Sequence, residues 1–178
     1  MATDERLHGK GSSCSDQRCS YLTFATWTMR IISDVGVLED LVGRLRRLAP
    51  TQRGLWGSMN AQQMALHVGD ASAAALGQRA FSAKPRGGPD ALRRVVLLYL
   101  LPRMPRGVKT GASPAAAVVE PTMFGKDVER AANLLQQLGT APPGTLVDRH
   151  PILGPMTHAE WMRWAFMHTD HHLRQFGL

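Results

Sequence analysis

The sequence predicts an all-α protein, a four-helix bundle with long crossover loops, on three observations. Apolar residues recur every three or four positions through several segments of the chain. Two of those segments open on capping boxes, and no stretch alternates apolar and polar residues as a half-buried strand does. A length of 178 residues, 44% of them hydrophobic, suits one compact domain with a sizeable core.

Residues 1–32 have no sustained helical period, and they are expected to form a poorly ordered leader before a helical domain spanning 33–178. The two cysteines, Cys14 and Cys19, lie in that leader and are read as free thiols. From Asp34 to Leu48, Val35, Leu38, Leu41, Val42, Leu45 and Leu48 form one stripe with arginines between them, and Pro50 ends the helix. A second helix begins at Asn60, whose side chain can cap while Gln63 reaches back. Its inward stripe is Met64, His67, Val68, Ala71 and Ala75, and it stops near Gly77. Asp90 to Leu101 reads as a third, strongly apolar helix that ends at Pro102, before a long Pro- and Gly-bearing connection to Pro121. A fourth runs from Gly125 to Leu138, with Val128, Ala131, Leu134, Leu135 and Leu138 inward. After a second Pro/Gly loop, Ala141 to Pro155, the pair Thr157 and Glu160 opens the last helix. Trp161, Trp164, Ala165, His168, His172 and Gln175 or Phe176 share its face.

No apolar run is long enough to span a bilayer, and the N-terminus lacks the pattern of a secretory signal, so a cytoplasmic location is expected. The formal charge is +7, and seven basic residues face one acid between Lys84 and Lys109. Without interleaved aromatics or a nucleic-acid motif, that stretch reads as a solvated face, and nucleic acid is not an expected partner.

The chemistry lies in the histidines. His168 and His172, four apart on a helix, stand one above the other and can converge on one ion. His67 is the histidine well inside another apolar stripe. It lies about 10 Å along its helix, and His168 and His172 lie roughly 12 and 6 Å from the end of theirs. Antiparallel packing therefore brings all three to one level near one end of the bundle. One buried histidine is ordinarily a core residue; three at matching depths make a metal site. Three protein donors leave coordination positions open, as in catalytic sites. Gln63 and Asp70, one turn either side of His67, are candidates to orient it. His171 reads as flanking and Asp170 as solvent-exposed; His150 and His158 read as ordinary surface residues.

The segments LWGSMNAQQMALH (55–67), HPILGPMTHAEW (150–161) and HTDHHLRQFG (168–177) resemble the DinB/YfiT-like superfamily, specifically an uncharacterised DinB-like subfamily. The resemblance runs from about residue 34 to the C-terminus. It implies a four-helix bundle with a three-histidine site for zinc or nickel, held by His67, His168 and His172. It also implies kinship with thiol S-transferases that use bacillithiol or mycothiol, and with thiol-dependent isomerases. The expectation is a metal-dependent thiol S-transferase that acts on small electrophiles, with a low-molecular-weight thiol as co-substrate. Its rivals are an amidase-like hydrolase using the same ion, and a non-catalytic, metal-stabilised binding or dimerisation module. In the last case the apolar run Val95–Leu101 would supply a homodimer surface or simply core.

Overall fold

The computed structural model describes residues 29–83, 87–107 and 118–178. The protein is mostly helical. Helices α1 (Val35–Arg46), α2 (Ala61–Ala75), α3 (Asp90–Val95), α4 (Phe124–Gly139) and α5 (His158–Gln175) follow one another in the chain. A π-helical turn, Val96–Leu100, continues α3, and a 3-10 turn, Pro121–Met123, leads into α4.

Both helix starts with a predicted capping box have one. The Asn60 carboxamide oxygen accepts from Gln63 N–H at 2.8 Å, and Gln63 Oε1 accepts from Asn60 N–H at 2.9 Å. At α5 the Thr157 hydroxyl accepts from Glu160 N–H, and the Glu160 carboxylate accepts from Thr157 N–H at 2.8 Å. Two orphan donors are satisfied at each start, so these ends hold where the pattern placed them.

Helix α4 packs along α2 and α1, and small residues set the α2–α4 spacing. A Cβ at Gly69 would stand 3.1 Å from Ala131 Cα, so the two backbones approach as closely as glycine permits. Its predicted inward residues, Val128, Ala131, Leu134, Leu135 and Leu138, are all buried.

Helix α5 is buried almost all round, where a single inward stripe was expected. Even Glu160 and Arg163 lie inside. The reason is its position: α1, α2, α4 and the π-helical turn all touch it. Residues ahead of α1 cover it as well. Ile32 is fully buried, its N–H donating to Met162 O at 3.1 Å, and Arg30 O accepts from Arg163 Nη1. Packed chain thus begins by Arg30, three residues before the predicted domain start; residues 1–28 lie outside the described residues.

Helix α3 and its π-helical turn do not enter the core as an apolar helix would. Leu98 is buried there, while Leu92, Tyr99 and Leu100 are exposed. The loop before α5 also carries more structure than expected. Arg149–His150 (β1) pairs antiparallel with Gly154–Pro155 (β2) in a two-residue hairpin. Two residues per strand are too few for an alternation to register in the sequence.

The hairpin overturns the surface reading of His150. Its ring is buried against Phe81, Trp161 and Trp164, and Nδ1 accepts from Ile152 and Leu153 N–H at 3.1 and 3.2 Å. His158 is half-buried and donates through Nε2 to Ala141 O at 2.8 Å.

The two ends of α2 fix its direction relative to α5. At its start, Leu55 N–H donates to Gln175 O at 2.7 Å. At its end, Val147 N–H donates to Ala75 O, and Trp161 Nε1 donates to Val147 O. The first turn of α2 lies by the last of α5 and its last by the first. The helices are antiparallel.

Candidate metal centre

His67 on α2 and His168 and His172 on α5 meet between the two helices. One ring nitrogen from each lies within 4.8 Å of the other two. His67 Nε2 and His168 Nε2 are 3.1 Å apart. Two imidazole nitrogens on one ion at about 2.0–2.1 Å stand roughly 3 to 3.4 Å from each other, so this pair already has chelating separation. The three rings are mutually tilted, with centroids 4.7 to 5.0 Å apart.

The surroundings hold these rings in place and keep them neutral. Trp164 stacks on His168 at 5.0 Å with an interplanar angle of 15°. His172 is oriented by a side chain that the sequence reading used only to mark the helix face. The Trp56 carbonyl can only accept, so the Gln175 amide turns its NH2 to it, at 2.6 Å, and points Oε1 at His172 Nδ1, 2.9 Å away. His172 Nδ1 therefore carries the proton and Nε2 keeps its lone pair for a ligand bond. Gly57 makes room for this bridge. Its φ is +80°, and a Cβ there would run into Gln175 Nε2. A glutamine three residues after a histidine on one helix face is the signal that would have found it.

The residues expected to orient His67 also make other contacts. Gln63 Oε1 closes the cap of α2. The Asp70 carboxylate pairs with Arg79, and with Arg130 at 3.2 Å, though its charge still favours a protonated His67. Asp170, expected in solvent, is largely buried between Arg44 at 3.0 Å and Arg174 at 2.7 Å. Arg44 also donates to Leu178 O, which ties the chain end to α1. His171 is buried too; its Nδ1 donates to Met104 O at 3.2 Å, and its ring lies between Trp56 and His172.

Burial pushes His67 down to about 4, partly opposed by Asp70, and His172 down to about 3, with His67 adding repulsion. His168 lies well below its usual value, from burial first and then repulsion by His172 and His67. Burial also lowers His150 to about 4. All four are neutral at pH 7, the form a metal needs.

A pH dependence follows. Each of these histidines has a folded pKa below the unfolded value near 6.5, so between the two the unfolded chain binds more protons. Their contribution is fully present above about pH 6.5 and is lost as pH falls toward about 4. Thermal melts of metal-free protein are expected to lose several degrees per pH unit across that window. A melting temperature flat from pH 7 to 4.5 would contradict neutral burial of these rings.

A second test reads the bridge. Gln175→Leu is expected to weaken zinc or nickel binding about 10- to 100-fold while preserving the fold. Gln175→Glu, which keeps an oxygen toward Nδ1 but sets its other oxygen against the Trp56 carbonyl, should recover part of it. Unchanged affinity in Gln175→Leu would remove Gln175 from the site.

Residues 38–177 match the model of a family described as a protein of unknown function, DUF1569. Neither a curated protein nor a solved structure matches the chain.

Proposed function

We propose that this chain, which belongs to the DUF1569 family over residues 38–177, is a metal-dependent enzyme whose ion is held by His67, His168 and His172. The observation that carries the reading is one neutral donor nitrogen from each of three histidines, on two antiparallel helices, within 4.8 Å of one another. Imidazole donors suit zinc or nickel and disfavour magnesium or calcium. In the same reading α1, α2, α4 and α5 are the four helices of a DinB/YfiT-like bundle.

A divalent ion there supplies a Lewis-acidic centre that lowers the pKa of a thiol or water bound to it. The chain's own residues do the rest. Gln175 holds His172 in the tautomer that presents Nε2, and Trp164 holds the plane of His168. Burial keeps all three rings unprotonated. Three protein donors leave positions for co-substrate and substrate. With the resemblance to thiol-using relatives, this favours thiol S-transfer to a small electrophile over amide hydrolysis.

The test is a turnover screen of metal-loaded protein against electrophiles and amides, with and without a low-molecular-weight thiol, repeated after chelation and in His67→Ala. The expected result is turnover that requires both metal and thiol and disappears in His67→Ala. Turnover without thiol would replace the transferase with a hydrolase. Metal that raises the melting temperature with no turnover in either arm would leave a metal-stabilised module.

A further inference from the structure

The basic stretch 84–109 has one well-described member beside the histidines. Arg106 is exposed, and its guanidinium carbon lies 3.9 Å from the centre of the Trp56 ring. Among the described residues no carboxylate pairs with it. Exposed arginines commonly swing through many rotamers; this one is seated on an indole face, which orients its planar fork.

What lies under that guanidinium leads straight to the candidate metal centre. The Trp56 ring meets His171 edge-on at 5.9 Å, and His171 meets His172 at 5.0 Å. The Trp56 carbonyl accepts from Gln175, the same side chain that orients His172. On the other side, Met104 O accepts from His171 Nδ1, which pins the backbone two residues before Arg106 to α5. Arg106 is thus tied from two directions to the wall of the site. Trp56 Nε1 is buried and has no hydrogen-bond partner among the described residues, a donor left over on the same wall.

We propose that Arg106, seated on Trp56, is a specificity residue that receives an anionic carboxylate or phosphate group of the thiol or substrate bound at the three-histidine site. The inference rests on the metal-site reading and adds the charge class of the ligand. A guanidinium seated on an indole, with no carboxylate partner among the described residues, offers two parallel N–H donors to a carboxylate, which a neutral tail cannot use.

The test compares ω-mercaptocarboxylates of three to six carbons with ω-mercaptoalcohols of the same lengths. Each is titrated into zinc-loaded and into metal-free protein. The readout is the Trp56 indole N–H signal in nitrogen-15 NMR spectra, assigned by its loss in Trp56→Phe. At the best chain length, the carboxylate should reach half-saturation at a concentration about tenfold lower than the alcohol. Arg106→Gln should bring that ratio near one without moving the alcohol's value, and Arg106→Lys should keep part of it. A ratio near one in the wild type, or a ratio that survives in Arg106→Gln, overturns the inference. The metal reading fails separately, if elemental analysis finds no zinc uptake. In that event the carboxylate-to-alcohol ratio in metal-free protein still decides the role of Arg106.

Discussion

Purified protein loaded with zinc or nickel is expected to hold about one ion per chain, and His67→Ala, His168→Ala or His172→Ala almost none. Structural zinc sites bind with about 10–16 kcal/mol spread over four ligands, so each donor carries roughly 3 kcal/mol. That is at least about a hundredfold in affinity, enough to strip the ion during dialysis. His158→Ala is the control. Among the described residues its ring bonds only to the Ala141 carbonyl, and the variant's metal content should match the wild type. Helix content by circular dichroism should persist in the ligand variants, because α2 and α5 keep apolar partners of their own: Met64 and Val68 on one, Trp161 and Leu173 on the other. Equal metal in all four variants would dismiss the ligand set.

Trp161→Ala should bring the largest loss of stability. Trp161 is 1% exposed; it stacks on Phe81 at 5.9 Å and meets Trp164 edge-on at 5.3 Å. Its indole N–H donates to Val147 O at 2.8 Å, and Val147 N–H donates to Ala75 O. One side chain therefore fills the core and fastens the loop between α4 and α5, which bonds in turn to the end of α2. Truncation of a buried tryptophan costs about 3–5 kcal/mol, a large share of the 5–15 kcal/mol by which domains are ordinarily stable. Trp161→Phe keeps the aromatic packing and loses the hydrogen bond, at about 1–3 kcal/mol for the carbonyl left unsatisfied. Urea unfolding with an unchanged slope measures both. A shift below about 1 kcal/mol in Trp161→Ala would mean that the aromatic cluster is not a core element.

The helical class, the two capping boxes and the pairing of His67 with His168 and His172 were legible because each rests on spacing. A helix repeats every 3.6 residues, so residues four apart share a face, and a cap residue and its partner three later satisfy two backbone donors wherever they fall. Depth counted along two helices was also enough to anticipate their antiparallel packing.

What was misjudged depended on neighbours from elsewhere in the chain. His150 reads as a loop residue until Phe81, Trp161 and Trp164 close over it. Asp170 reads as solvent-facing until Arg44, 126 positions away, pairs with it. The side chain that orients His172 is Gln175, because the Trp56 carbonyl, 119 positions away, fixes which end of its amide faces the imidazole. By itself the sequence determined which residues share a helix face, since that is periodic geometry within one segment. Only the tertiary structure decided which faces are covered and which way each polar group points, since burial and hydrogen-bond direction are set by atoms that the chain brings together from far apart.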